Sequence, residues 1–150
     1  MKPAPRLNII VLCLLLNACA AVAPGNDPIV VNAERDTAIA ADAFDTFLKT
    51  YAEIRGPLRA SSPTVYAPVA RFADFLREPV IYDNGTDMHT VYMPRAKGWL
   101  KSARVMTMAY KTHRSAENKA NLVTIMATIN AAVMESRNFL AQASAVKIKP

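Results

Sequence analysis

Apolar side chains recur with helical spacing along three long segments of the chain. The segments cover residues 32–55, 94–113 and 115–143, and in each the charged side chains fall on the opposite side. We therefore predict three long amphipathic helices. Their apolar positions are Thr37, Ala40, Phe44, Phe47, Leu48, Tyr51 and Ile54 in the first, Ala96, Trp99, Leu100, Ala103, Met106 and Tyr110 in the second, and Leu122, Ile125, Met126, Ile129, Val133, Phe139 and Leu140 in the third.

Residues that favour helix ends bound these segments. Asn32 is a good N-cap followed by acidic residues, so we predict that the first long helix begins there. Gly56-Pro57 is predicted to end it, because an interior proline removes a backbone hydrogen bond and clashes with the preceding turn. Pro94 suits the first turn of the second long helix, and Ser115 opens the third.

Two shorter patterns lie between the first and second long helices. One is a short amphipathic helix whose start is left open by Pro63 and Pro68. The other is residues 80–93, in which β-branched and aromatic residues flank Asn84-Gly85, and it predicts a small β-hairpin or ordered loop. The apolar positions of the short helix are Val69, Phe72, Ala73 and Leu76.

These elements predict an all-α fold. Three long helices and one short helix must bury their apolar sides against each other, and a helical bundle is the simplest arrangement. We assign residues 32–145 to the bundle and residues 19–31, which are rich in proline and glycine near their middle, to a tether. Residues 146–150 read as a basic tail, and the neighbour relations of the helices stay open.

The N-terminus has the layout of a secretory signal. Lys2 and Arg6 precede a largely apolar run at residues 7–16. A membrane-crossing helix needs roughly 20 residues, so the run at residues 7–16 is too short to span a membrane. We therefore interpret residues 1–18 as a signal peptide.

The residues after the apolar run decide how that signal is removed. Leu16-Asn17-Ala18-Cys19 resembles the lipobox of bacterial lipoproteins: an aliphatic residue, a variable one, a small one and then cysteine. Asn17 departs from the usual serine, threonine or alanine. The resemblance implies cleavage before Cys19 and fatty acyl chains, such as palmitate, on that residue. Ordinary cleavage after Ala20 remains the alternative, because small residues occupy the −3 and −1 positions there.

Cysteine usage agrees with acylation. Cys13 lies inside the signal, so the mature chain would hold Cys19 as its single cysteine and no intramolecular disulfide. In lipoproteins of this kind an aspartate after the cysteine often signals retention in the inner membrane, whereas Ala20 follows here. The resemblance thus implies a lipid-anchored protein of the cell envelope, on the periplasmic side or surface of the outer membrane if the host has two membranes.

Charge is distributed unevenly. The chain carries a formal charge of +6, and residues 88–150 contain ten basic and two acidic residues. Lys97, Lys101, Arg104 and Lys111 stripe the polar side of the second long helix, which has no acidic residue. Such a stripe is either a solvated surface or a contact for an anionic partner, namely lipid headgroups or an acidic envelope protein. The export signal argues against nucleic acid.

Metal, cofactor and catalytic chemistry have few candidate residues. His89, with the aspartates of the predicted hairpin, offers too small a ligand set for a typical zinc or iron site, so polar turn residues are the default interpretation. Met106, Met108 and His113 raise the alternative of a periplasmic haem- or copper-binding bundle, although methionine is also a common core residue. No catalytic residue spacing is found, and we predict neither an enzyme nor a bound metal or cofactor.

Four further segments stand out, namely Asp27-Pro28-Ile29-Val30-Val31-Asn32-Ala33-Glu34, Phe44-Asp45-Thr46-Phe47-Leu48, Trp99-Leu100 and Tyr110-Lys111. They are similar to small lipoproteins of phage and prophage genomes. The similarity covers about half of the chain and implies no established activity, and residues 80–93 are additional here. We expect a membrane-tethered, non-enzymatic interaction module of the envelope. If it is phage-encoded, exclusion of a second infecting phage is one role it could serve.

Overall fold

The predicted all-α bundle with a small hairpin is confirmed. The computed structural model describes residues 27–82 and 91–146. This part of the chain forms three long helices and one shorter helix, and a two-stranded antiparallel sheet lies between the second and third helices in chain order. The elements are α1 (Pro28–Ser61), α2 (Pro63–Arg77), β1 (Pro79–Tyr82), β2 (Val91–Pro94), α3 (Arg95–Thr112) and α4 (Ala116–Ala145).

Some predictions concern residues that lie outside the described ranges. The signal peptide, the lipobox with Cys19 and most of the tether lie before residue 27, outside the described residues. The Asn84-Gly85 pair lies in residues 83–90, and most of the basic tail lies in residues 147–150, which are likewise outside. These predictions stay predictions.

Helix α1 begins four residues earlier than predicted. Asp27, not Asn32, is the N-cap, and its Oδ1 accepts a hydrogen bond from the backbone N–H of Ile29 at 2.9 Å. Residues 28–31, which we had assigned to the tether, are therefore helical. The physical reason is packing, because Val30 is fully buried in the core and its burial favours the added turn.

The predicted end of α1 at Gly56-Pro57 is also wrong, since the helix continues to Ser61. Pro57 leaves the carbonyl of Glu53 without its usual helical donor. Gly56, however, has no Cβ to clash with the proline ring. One residue further on, Leu58 is fully buried. The burial of Leu58 offsets part of the cost of the interior proline.

Helix α2 begins at Pro63, which settles the start that the sequence left open. Proline is tolerated at this first helical position because its missing N–H would have no helical partner there. Pro68 lies inside the helix. Val69, Ala73 and Leu76 are buried, as predicted, and they offset the cost of that proline.

The boundaries of the last two helices agree with prediction to within two residues. Arg95 begins α3, with Pro94 as the residue before it. Ser115 caps α4, and its hydroxyl oxygen accepts a hydrogen bond from the N–H of Asn118 at 3.0 Å. The predicted apolar sides of both helices are buried or half-buried in the core.

The hairpin packs one side on α3 and exposes the other. Val80 and Met93 form a cross-strand pair that is half-buried, and Val80 Cγ2 lies 3.1 Å from the position a Cβ on Gly98 would occupy. Glycine therefore permits this close approach. On the other side, Ile81 and Tyr92 pair across the strands with more than half of each side chain exposed.

Helix α1 is the centre of the bundle, because it packs extensively against all three other helices, whereas α2 makes only small contacts with α3 and α4. Aromatic rings connect the elements: Phe72 of α2 lies 5.3 Å, centroid to centroid, from both Phe47 of α1 and Phe139 of α4. Burial, with a smaller contribution from the Tyr66 hydroxyl, raises the pKa of Tyr51 to about 12. One shared core thus holds the four helices.

Candidate functional site

The basic stripe predicted from the sequence lies along the outer side of α3. Lys97 and Arg104 are exposed, and Lys101 and Lys111 are half-buried. From the first to the last of these positions, an α-helix rises about 21 Å. The stripe therefore runs along most of α3 and away from the core.

Three of the four cations border one open groove. This first groove, of about 470 Å³, is lined by Lys97, Lys101 and Arg104 together with Met93 and Leu100. Met93 belongs to β2 and the other four residues belong to α3, so the hairpin supplies one wall. The groove combines three positive charges with two apolar side chains, a lining that suits an anion with an apolar portion.

Lys111 is set apart from the other three. Its Nζ lies 3.4 Å from Oε1 of Glu34 on α1. Both residues line a second groove of about 330 Å³ between α1 and α3, which Arg104 also borders. The pairing offsets the charge of Lys111, so the structure brings together three of the four predicted contact residues.

The second groove has two threonines whose hydroxyl groups are already engaged. Thr37 Oγ1 donates to the carbonyl of Ala33 at 2.6 Å, and Thr107 Oγ1 donates to the carbonyl of Ala103 at 2.7 Å. Thr37 Oγ1 also lies 3.7 Å from Sδ of Met126 on α4. Because both hydroxyl groups have acceptors inside the bundle, these threonines line the groove mainly as small buried side chains. Sequence reasoning missed Thr107, although its position four residues after Ala103 could have placed it near the core.

Exposed apolar side chains accompany the cations. Val105 and Met108 are each more than half exposed and lie on the outer side of α3. We define the basic face as Lys97, Lys101, Arg104, Val105 and Met108. It combines positive charge with apolar surface, and sequence reasoning missed the apolar part.

The basic residues of α3 differ in their ion pairs. Within the described part of the chain, neither Lys97 nor Arg104 forms an ion pair with a carboxylate. Arg95, also on α3, is held elsewhere: its guanidinium pairs with Glu78 and lies 4.3 Å from the centroid of the Phe75 ring. Arg95 therefore joins α3 to α2 and is not part of the basic face.

The residues behind the haem or copper alternative do not converge. Met106 is half-buried against the core, whereas Met108, two positions on and so about 200° around the helix, is exposed. His113 is exposed at the end of α3. Among the residues that the structure describes, no three His, Cys, Asp or Glu side chains are grouped to hold a metal ion. His89 and the hairpin aspartates lie outside them.

The fold and the site define an all-α helical bundle with a cationic groove on one helix. Comparisons with protein-family models, with curated proteins and with solved structures each find no match. No helix in the described ranges combines the length and apolar character needed to cross a membrane.

Proposed function

We propose that the chain is a lipoprotein of the cell envelope, anchored by acyl chains on Cys19, and that its bundle is a non-enzymatic interaction module at the membrane surface. The observation that carries the proposal is the sequence Leu16-Asn17-Ala18-Cys19, directly after a charged start and a short apolar run. One acyl chain gives only marginal, reversible membrane binding, but two or three give stable anchoring.

The spacing between anchor and bundle supports a role near the membrane. Residues 20–26 separate Cys19 from the N-cap of α1 and span at most about 25 Å when fully extended. The bundle would therefore stay close to the lipid surface. Its partner is an anionic headgroup or an acidic envelope protein, and in a phage-encoded lipoprotein such a contact would serve to exclude a second phage.

Replacement of the anchor cysteine tests this proposal. We expect Cys19→Ser, expressed with its native signal in a bacterial host, to lose incorporation of a palmitate analogue and to leave the membrane fraction. Cys13→Ser is the matched control, because it removes the other cysteine and leaves the lipobox intact. A native chain whose intact mass shows an unmodified start at Ala21, or a Cys19→Ser chain that fractionates normally, would contradict acylation.

A further inference from the structure

The basic face points to one kind of partner. We propose that α3 docks side-on onto an anionic lipid bilayer and that headgroup phosphates enter the groove bounded by Lys97, Lys101 and Arg104. This inference rests on the proposed function, because the acyl anchor supplies the proximity. It deepens that function by naming the surface that binds and the orientation of the bundle.

Charge complementarity is the first argument. Helix α3 has no acidic residue, and two of its five basic residues, Arg95 and Lys111, are paired with carboxylates of other segments. Lysine and arginine side chains close to an anionic leaflet are attracted to it within about a Debye length. Three such side chains gather around one open groove, where a phosphate can approach from solvent.

The apolar surface is the second argument. Interfacial membrane contacts combine cations with apolar and aromatic side chains that enter the headgroup region. Val105 and Met108 supply exposed apolar surface beside the cations. Met93 of the hairpin forms a wall of the groove, whereas the exposed pair of Ile81 and Tyr92 lies on the side of the hairpin turned away from α3. The acyl anchor of the proposed function already places the bundle at a bilayer, so lipid headgroups are the anionic partner nearest to this surface.

The position of the tether determines the orientation. Asp27, where the tether joins α1, lies beside the C-terminal end of α3, because its Oδ2 is 3.7 Å from Nη2 of Arg114. The groove lies in the N-terminal half of α3, a helix about 27 Å long. The basic face runs from Lys97 to Met108, about 16 Å along the helix, so all of it reaches the headgroups only if α3 lies along the membrane instead of standing upright on it.

Two methionines allow a matched test of this orientation. Met108 on the basic face and Met134 on α4 are 61% and 64% exposed. The acylated chain beginning at Cys19, carrying either Met108→Cys or Met134→Cys, has one reactive thiol for a fluorophore. We would reconstitute it in vesicles of phosphatidylcholine alone or of equimolar phosphatidylcholine and phosphatidylglycerol, and measure quenching by a neutral, water-soluble quencher.

We expect quenching at position 108 to fall several-fold relative to position 134 on the anionic vesicles only, and high salt to remove the difference. Lys97→Gln combined with Arg104→Gln should abolish the shielding. Lys119→Gln, an exposed position on α4, should leave it unchanged.

Equal quenching at the two positions on anionic vesicles would overturn the proposal. So would shielding that occurs on native envelope membranes but not on the anionic vesicles, because the partner would then be a protein. The intact mass is measured before reconstitution, which separates failure of the anchor from failure of docking. If the chain lacks acyl groups, the proposed function fails, and co-sedimentation of the unlabelled chain with anionic vesicles decides docking. Sedimentation unchanged by the Lys97 and Arg104 substitutions would overturn it.

Discussion

Asp27 shows how much one side chain contributes at the start of the bundle. It is buried, it caps α1 through the N–H of Ile29, and it faces the guanidinium of Arg114. It thereby joins the first turn of α1 to the connection between α3 and α4. Ser115 has the corresponding capping role at α4.

Loss of the Asp27 cap should destabilise the protein measurably. We expect Asp27→Ala to lower the free energy of unfolding by about 1 kcal/mol, since an N-cap contributes roughly 0.5–2 kcal/mol. Asp45→Ala is the control, because Asp45 forms only an exposed pair with Lys49 and should cost under about 0.5 kcal/mol. Urea unfolding measures both values. Equal effects would show that the Asp27 cap contributes nothing.

Predictability differed between these two caps for a physical reason. Ser115 precedes a clear amphipathic run, so its role could be predicted from neighbouring residues. Asp27 precedes a proline, a pair that occurs in loops as well as at helix starts. Whether Asp27-Pro28 forms a loop or a helix start depends on whether Val30 can be buried in the core. That core is formed by residues distant in the chain.

At the scale of elements, α1 shows packing prevailing over local preference. The helix runs through Gly56-Pro57 although the pair favours a helix end. Leu58 is fully buried beyond it. An interior proline costs about 3 kcal/mol relative to alanine. Pro57 therefore destabilises α1, and its replacement should remove that cost.

Replacement of that proline should stabilise the protein. We expect Pro57→Ala to raise the free energy of unfolding by about 1–3 kcal/mol, because the new N–H can donate to the carbonyl of Glu53 and the ring clash is removed. Pro28→Ala is a suitable control, since Pro28 occupies the first helical position, where proline costs little. Chemical denaturation measures both. A Pro57→Ala protein no more stable than the parent would contradict this account of the helix.

The hairpin shows a second limit of local prediction. Its presence was predicted from the pattern of residues 80–93. In the structure Tyr82 pairs with Val91. This register places Val80 and Met93 together against Gly98, a contact with α3 that the pattern of residues 80–93 by itself does not contain.

At the scale of the whole molecule, aromatic contacts make the four helices one unit. Phe47, Phe72 and Phe139 join α1, α2 and α4. Trp99 of α3 completes the set, with ring centroids 6.5 Å from Phe44 and 5.7 Å from Phe75. The single tryptophan of the chain therefore reports contact among α1, α2 and α3.

Truncation within this core should affect all the helices together. We expect Phe47→Ala, at a fully buried position, to cost about 3–5 kcal/mol. Phe75→Ala, at a position 40% exposed, should cost clearly less. Trp99 fluorescence and far-ultraviolet circular dichroism should give coincident unfolding transitions in the parent protein. If Phe47→Ala does not fold, Phe47→Leu provides the milder comparison. Separate transitions would indicate that α2 and the hairpin unfold independently.

The candidate site also combines a feature that the sequence predicts with features that only the tertiary structure shows. The stripe of four cations on α3 could be predicted because residues three and four apart share a side of a helix. The groove could not, because Met93 reaches it through strand pairing and hairpin packing. Glu34, which pairs with Lys111, is 77 residues away in the chain.

The sequence by itself determined the helical segments, their inner and outer sides, the cap of α4, the basic stripe and the prediction of an acylated Cys19, because these depend on residues a few positions apart. Tertiary packing alone decided the length of α1, the register of the hairpin and which cations share a groove. Each of these depends on contacts between distant segments, and the burial gained there outweighs the weaker local preferences of proline, glycine and asparagine.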